Sequence, residues 1–180
     1  AFKTLISIAE RENIHNNHKA KSMFRHAAVK EHEKTTTIYL TKEELEGLAN
    51  VIMRHEDLFV LADEIYEHIN YVGKHESIAQ FEGMKERTII VNGVSKAYAM
   101  TGWRIGYIAA PEWIVKGCNK LQGQYTSGPC SVSQKAAEFA YTADQSCVEE
   151  MRLAFERRRN LIVELAKDIP GLEVNVPEGA

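Results

Sequence analysis

The sequence lacks an excess of basic residues, and this absence excludes one class of partner. Its 22 Lys and Arg residues are outnumbered by 25 Asp and Glu residues, so the formal net charge is -3 and the pI is about 6.2. Proteins that bind nucleic acid hold the phosphate backbone with clustered cationic side chains, which release bound counterions. We therefore do not expect nucleic acid as a partner.

Long apolar runs are also lacking. No run approaches the roughly 20 residues that a membrane-spanning helix needs. The stretch 1–6 is too short, and becomes polar too soon, for a signal peptide. With 44% hydrophobic residues, the 180-residue chain can bury a core of ordinary size for one domain. We expect a soluble, cytoplasmic protein with no membrane partner.

Cysteine is scarce and shows no paired spacing. The three cysteines lie far apart without a Cys-x-x-Cys motif, so we interpret them as reduced thiols: Cys118, Cys130 and Cys147. The histidines lie in the first half of the chain and accompany no thiolate or carboxylate motif. They are interpreted as a solvated polar surface, and no metal site is predicted. These residues are His15, His18, His26, His32, His55, His68 and His75.

From Thr41 onward, helical and strand patterns alternate. Thr41 and Glu44 have capping-box spacing, which predicts that a helix begins there and ends near His55. Apolar runs predict core strands over 58–62, 87–92 and 104–110. Helical spacing predicts helices over 113–121, 131–141 and 148–169. The apolar stripe of the last helix is predicted to contain Met151, Phe155, Leu161, Ile162 and Leu165. Alternation predicts a half-buried strand over 172–176. This order predicts an α/β sandwich, in which ligands bind at the carboxyl ends of strands.

Three strings near the predicted strand ends carry candidate chemistry. They are Ala62-Asp63-Glu64-Ile65-Tyr66, Asn92-Gly93-Val94-Ser95-Lys96 and Thr101-Gly102-Trp103-Arg104-Ile105-Gly106. Together they resemble the cofactor-binding core of fold-type I aminotransferases that depend on pyridoxal phosphate. The resemblance runs from about residue 41 to 180 and is closest to the bacterial aspartate aminotransferase branch.

The resemblance implies a partial large domain of that fold, which is a three-layer α/β/α sandwich with a mostly parallel sheet. Residues 41–145 correspond to the part of the large domain that binds pyridoxal phosphate. Residues 146–180 correspond to the long helix and strand that lead towards the small domain. Residues 1–40 show no resemblance, since the family's Asn-Pro-Thr-Gly turn and Gly-rich phosphate loop are not found in them.

By resemblance, Lys96 is the catalytic residue. Its amine would form an imine with the cofactor aldehyde and later move a proton between the substrate α-carbon and the cofactor. Asp63 resembles the buried carboxylate that keeps the pyridine nitrogen protonated. Tyr66 matches the tyrosine that donates a hydrogen bond to the cofactor's phenolic oxygen.

The cofactor phosphate has two candidate partners. Arg104 fills the family position of the arginine that binds it, and a guanidinium fork suits bidentate phosphate contact. Gly93 stands where the family often has a hydroxyl, three residues before the lysine. Ser95 is the nearest substitute, and either a phosphate contact or a plain local hydrogen bond remains open for it.

The implied activity is amino transfer from aspartate to 2-oxoglutarate, with pyridoxal 5'-phosphate as cofactor and an amino acid and a 2-oxo acid as partners. The loop 125–128 resembles the one that reaches across the dimer interface, so a homodimer is implied. Two alternatives stay open. One is a related aminotransferase that acts on prephenate or aromatic amino acids, and the other is a truncated domain that keeps the cofactor core but is inactive.

Overall fold

The computed structural model describes residues 40–180, and its helices and strands alternate along the chain. Within this range lie four α-helices: α1 (Lys42–Met53), α2 (Glu112–Tyr125), α3 (Ser131–Thr142) and α4 (Ser146–Lys167). The strands of the same range are β1 (Val60–Asp63), β2 (Thr88–Gly93) and β3 (Gly106–Ala109). Short 3-10 helices span Ile78–Gln80, Met84–Arg87 and Thr101–Trp103. What was expected of residues 1–39 lies outside the described part.

Helix α1 begins at the predicted capping box. Thr41 Oγ1 accepts a hydrogen bond from Glu44 N at 3.2 Å, and Thr41 N donates to Glu44 Oε2 at 2.8 Å. The side chain of each residue thus accepts a hydrogen bond from the backbone N–H of the other, so two N–H groups at the start of the helix have partners. Further along the helix, Ala49 and Ile52 are buried, whereas Leu48 is 42% exposed.

The sheet has the order β1-β2-β3 and is mixed. Strand β1 runs parallel to β2, with Val60 opposite Thr88, whereas β3 runs antiparallel to β2, with Asn92 opposite Tyr107. The α/β class is confirmed, but the third strand runs in the opposite direction from a parallel core strand. A parallel pair needs a long crossover, usually an α-helix, and the connection 94–105 contains only a 3-10 helix.

The described core lies between α1, β1 and the first two 3-10 helices. Its buried members are Ala49, Ile52, Ile78 and Met84, of which Met84 is fully inaccessible. Partly buried apolar side chains pack around them: Leu45, Leu58, Val60, Ala62 and Phe81. This layer packs against β1. The carboxyl end of β1 is exposed at Asp63, whereas Asn92 and Gly93 at the end of β2 are buried.

The strand predicted over 172–176 is wrong. These residues form no ladder with another described strand, and Leu172 and Val176 are about half exposed. The chain instead makes an isolated antiparallel bridge between Asn70 and Gly179, beside which Tyr71 N donates to Glu178 O at 2.8 Å. Alternating apolar residues form a strand only where a neighbouring strand supplies hydrogen-bond partners.

Helix α4 has the predicted position, but its predicted apolar stripe is covered only in part. Met151 and Phe155 are half-buried, whereas the three later members are each more than half exposed: Leu161, Ile162 and Leu165. Val163, which was not in the predicted stripe, is buried. In contrast, α3 contacts the sheet through aromatic rings, since Tyr141 lies 6.0 Å from Tyr107 of β3 between ring centres. Within the described range, no helix combines the length and apolar character that crossing a bilayer requires. The three cysteines are free and exposed, which confirms the prediction of unpaired thiols.

Candidate cofactor-binding site

The register of β1 and β2 brings two of the three sequence strings together. Asp63, the last residue of β1, lies opposite Val91, and Glu64 N donates to Val91 O at 2.9 Å. The segments that follow two parallel strands leave the sheet at the same edge. The turn that contains Tyr66 and the segment that contains Lys96 therefore lie next to each other.

Asp63 is placed at this edge, but its carboxylate is not buried. The residue is exposed, and its Oδ1 accepts a hydrogen bond from Ile65 N at 3.3 Å. The expectation of a buried carboxylate is wrong for the described chain. Strand β1 is an edge strand of the described sheet, so only β2 covers it on one side and the end of β1 meets solvent.

Lys96 lies three residues after β2 and contacts Tyr66. Its Nζ is 5.3 Å from the centre of the Tyr66 ring, at a distance where an ammonium is attracted to the aromatic face. The neighbouring Val94 and Ala97 are buried and anchor the segment, while Lys96 itself is half-buried. Tyr66 is 41% exposed, so a bound molecule can reach its ring.

Arg104 has a left-handed backbone conformation, with φ of 55°. It caps the 3-10 helix Thr101–Trp103, and its Nη1 donates to Thr101 O at 2.9 Å. The same threonine donates its hydroxyl to Ser95 O at 2.9 Å, so Ser95 and Arg104 are joined through one residue. A bulky residue with positive φ is strained, and such strain concentrates at binding and catalytic sites.

Three of the five predicted site residues line one cavity of about 310 Å³. It is lined by Asp63, Ile65, Val91, Asn92, Ser95, Arg104, Ile105 and Gly106. This volume is at the lower end of the range of about 300 to 1,000 Å³ found for small-molecule and cofactor sites. Lys96 and Tyr66 are not among the lining residues, although Ser95 connects the cavity wall directly to Lys96.

The cavity wall suits a ligand that carries both a phosphate and a basic ring nitrogen. Arg104 offers a planar cation with several donors, and Ser95 offers a hydroxyl. Asp63 offers the carboxylate that a protonated ring nitrogen requires. The residues present therefore fit pyridoxal phosphate in their chemistry, and a lysine amine stands next to them in the chain.

Gly93 is required by the close approach of β2 and β3. A Cβ at this position would lie 2.9 Å from both Gly106 Cα and Ile105 O, which are backbone atoms. The hydroxyl residue that the family often has here would not fit without a shift of the backbone. Ser95 is the nearest hydroxyl residue among those that line the cavity.

A hydrogen bond joins Asn92 to Glu67, and it was not predicted from the sequence. Asn92 is buried, and its Nδ2 donates to Glu67 Oε1 at 2.7 Å. One signal was available, because a polar side chain in an apolar strand needs a hydrogen-bond partner. The sequence did not indicate that the partner is Glu67.

Glu64 forms a second polar cluster behind the site, and it was also not predicted. Its carboxylate accepts a hydrogen bond from Ser77 Oγ at 2.5 Å and lies 3.2 Å from His75 Nε2. The interpretation of His75 as a solvated surface residue is therefore wrong. Potential ligand atoms of Glu64, Glu67 and His75 lie within 4.8 Å of one another. Because both carboxylates already accept hydrogen bonds, we interpret the cluster as a structural network.

The contact between Glu64 and His75 changes the pKa of both residues. Burial opposes the charged form of Glu64, but the hydrogen bonds from His75 and Ser77 outweigh it and lower the pKa of this carboxyl. The hydrogen bond to Glu64 raises the pKa of His75 despite its partial burial. The pair is therefore stabilised in its ionised form.

The loop 125–128 begins at the last residue of α2 and is exposed. Tyr125 is 83% exposed, and Ser127 has a left-handed conformation with φ of 64°. The dimer contact that the resemblance implies for this loop stays a prediction.

Comparison with known proteins identifies the family. The model for aminotransferase class I and II matches residues 35–180. The aspartate aminotransferase of Bacillus subtilis is 47% identical over 147 residues, which cover 81% of this chain and 37% of that protein. The bifunctional aspartate aminotransferase and glutamate/aspartate-prephenate aminotransferase of Petunia hybrida is 47% identical over 140 residues, or 76% of this chain and 29% of that protein.

A solved structure supports the same conclusion. The aromatic aminotransferase of Pyrococcus horikoshii superposes with a TM-score of 0.74 and 44% identity, over 78% of this chain and 38% of that one. The chain thus spans about a third of the length of the relatives it matches. On these similarities, the described α/β unit is part of the large domain of a fold-type I transferase, and the chain belongs to the class I and II aminotransferase family.

Proposed function

We propose that the chain is the cofactor-binding part of an aminotransferase that uses pyridoxal phosphate, with aspartate and 2-oxoglutarate as substrates. The observation that carries this proposal is the shared cavity of Asp63, Ser95 and Arg104 next to Lys96. Each of these residues matches a member of the family core, and the parallel register of β1 and β2 accounts for their proximity.

The roles of the residues follow from their chemistry. When bound, pyridoxal phosphate supplies an electron-accepting ring that stabilises the carbanion left after the α-proton of the amino acid departs. Lys96 would hold the cofactor through Nζ and would carry that proton. Asp63 would supply the carboxylate that favours a protonated ring nitrogen, and Tyr66 would donate a hydrogen bond to the phenolic oxygen. Arg104 would hold the phosphate together with Ser95.

Substrate choice is the finer part of the proposal. The name of the Bacillus subtilis relative supports aspartate, and the Petunia hybrida protein is named for both aspartate and prephenate. The Pyrococcus horikoshii protein is named an aromatic aminotransferase. A prephenate or aromatic aminotransferase is therefore the second candidate. The exposed loop with Tyr125 supports a homodimer, and a cytoplasmic location is proposed from the resemblance alone.

The test of the proposal is covalent labelling. The chain is incubated with pyridoxal phosphate, reduced with borohydride and digested for peptide mapping. We expect the label on Lys96, with Lys96→Arg unlabelled and the control Lys116→Arg labelled like the wild type, because Lys116 is an exposed residue of α2. A label on another lysine, with Lys96 unmodified, would contradict the proposal. Amino transfer assays with aspartate, prephenate and phenylalanine would then distinguish the two substrate classes.

A further inference from the structure

The site contains a polar pair that the proposed chemistry does not use. We propose that Glu67 and Asn92 are positioning residues that hold Tyr66 against Lys96. The inference rests on the proposed function for the roles of Tyr66 and Lys96, whereas the contacts that hold them are present in the chain without cofactor. Neither residue needs to touch the substrate or the cofactor, since Glu67 acts through the adjacent Tyr66 and Asn92 acts through the segment that leads to Lys96.

The hydrogen bond between the two residues is short, and its donor is buried. Asn92 Nδ2 lies 2.7 Å from Glu67 Oε1, Asn92 is 5% exposed and Glu67 is half-buried. His68 Nε2 lies 3.4 Å from the same carboxylate oxygen. A carboxylate acceptor strengthens the bond relative to a neutral one, and the burial of Asn92 limits the access of water to its amide.

Glu67 belongs to the tight turn that presents Tyr66. Within this turn Glu67 N donates to Glu64 O at 3.0 Å, and Ile69 N donates to Tyr66 O at 2.8 Å. The backbone of Tyr66 is therefore rigidly connected to that of Glu67. A restraint on the Glu67 side chain is in consequence a restraint on the position of the Tyr66 ring.

Asn92 belongs to the segment that presents Lys96. It lies four residues before the lysine, and its Oδ1 accepts a hydrogen bond from Gly93 N at 2.7 Å. The side chain thus bonds to the last residue of β2 and to the turn after β1 at the same time. The backbone hydrogen bond from Glu64 N to Val91 O connects the two segments at the ends of the strands. The side-chain bond of Asn92 adds a further connection just after it.

Loss of the hydrogen-bond acceptor at position 67 would affect both segments. Without an acceptor at position 67, the amide of Asn92 would be buried and unpaired, which favours a rearrangement that exposes it to water. The turn would move away from β2, and Tyr66 would move with it. The contact of Lys96 with the Tyr66 ring would then be lost.

Competitive acetylation of the cofactor-free chain, read by mass spectrometry, tests this inference without enzymatic activity. The variants are Glu67→Ala, which removes the acceptor, Glu67→Asp, which keeps the charge but is one methylene shorter, and Glu67→Gln, which retains an acceptor at full length. Lys116 and Lys135 are well exposed and serve as internal references. An ammonium contact with an aromatic ring at such a site corresponds to about a two- to fivefold change in equilibrium.

We expect Glu67→Ala and Glu67→Asp to raise the acetylation rate of Lys96 about two- to fivefold relative to the references. Glu67→Gln should retain the wild-type rate, because its side-chain oxygen still accepts from Asn92. If Glu67→Ala does not fold, the contrast between Asp and Gln decides. Equal rates in the Asp and Gln variants would overturn the inference, as would an unchanged rate in a folded Glu67→Ala protein.

A second arm with pyridoxal phosphate separates this inference from the proposed function. Borohydride labelling of Lys96 should fall in the Ala and Asp variants and persist in the Gln variant. If the wild-type chain takes up no label at Lys96, the proposed function fails. The acetylation data would still support or overturn the role of Glu67 and Asn92.

Discussion

The Glu64 carboxylate lies 3.2 Å from His75 Nε2, directly behind the turn that presents Tyr66. The hydrogen bond to Glu64 raises the pKa of His75 in the folded protein. The contribution of protonated His75 to stability is therefore complete below about pH 6.5 and is lost as the pH rises through the raised pKa of the folded protein. The pKa of Glu64 is lowered in the folded protein, so the contribution of its carboxylate to stability is present above about pH 4.5 and is lost as the pH falls through that lowered pKa. The pair is therefore most stabilising between these two limits.

The first prediction concerns this pH dependence. Between pH 6 and pH 8.5, wild type should lose about 0.5 to 1 kcal/mol more free energy of unfolding than His75→Gln, because the pair is only partly buried. Urea denaturation at both pH values measures the difference. Parallel pH profiles for the two proteins would show that the pair makes no contribution.

The second prediction concerns the packing of β2 against β3. Gly93→Ala should destabilise the chain by about 1 to 3 kcal/mol, since the added methyl group would meet backbone atoms of Gly106 and Ile105 at 2.9 Å. Gly102→Ala is the matched control, because a Cβ there meets no atom within 4 Å. Urea midpoints should fall for the first variant and stay near wild type for the second; equal midpoints would contradict the packing argument.

The third prediction concerns the start of α1. Thr41→Ala removes the side-chain acceptor of Glu44 N and should reduce the free energy of unfolding by about 0.5 to 2 kcal/mol. Thr41→Ser retains the hydroxyl and should remain within a few tenths of wild type. Thermal or urea denaturation monitored by circular dichroism distinguishes the two. A serine variant as unstable as the alanine variant would rule out the cap as the cause.

The fourth prediction concerns phosphate recognition by Arg104. The wild-type chain should prefer pyridoxal phosphate to pyridoxal, and Arg104→Ala should reduce this preference about tenfold to a hundredfold, as expected for loss of a charged hydrogen bond. The affinity for pyridoxal itself should change little. Arg157→Ala, an exposed position on α4, is the control. Absorbance titration with both compounds measures the ratio, and a proportional loss for both would remove Arg104 from the phosphate site.

The fifth prediction concerns turnover. The 180-residue chain alone should transaminate aspartate and 2-oxoglutarate far more slowly than the usual enzyme range of about 1 to 1,000 per second. It spans 37% of the Bacillus subtilis relative, and misplacement of reacting groups by about 1 Å can reduce the rate about a hundredfold. A coupled assay of oxaloacetate formation provides the measurement. Turnover within that range would show that residues 1–39 supply the missing substrate contacts.

Features that depend on neighbouring residues were predictable from the sequence. The capping box at Thr41 and Glu44 predicted the start of α1, because both of its hydrogen bonds join residues three positions apart. Apolar runs located β1 and β2 to within about two residues, and helical spacing located α2, α3 and α4. The three strings of the cofactor core predicted the family, which the match over residues 35–180 confirmed.

Features that depend on distant partners were decided by the tertiary structure alone. The antiparallel direction of β3, the missing strand at 172–176 and the exposure of Asp63 all depend on which strand lies alongside, and no local pattern encodes that neighbour. The bond between Glu67 and Asn92 joins residues 25 positions apart and forms because the parallel register brings them together. Sequence thus determined the local elements and the chemistry of their side chains, whereas long-range strand pairing determined which side chains share a site, because its hydrogen bonds join backbones far apart in the chain.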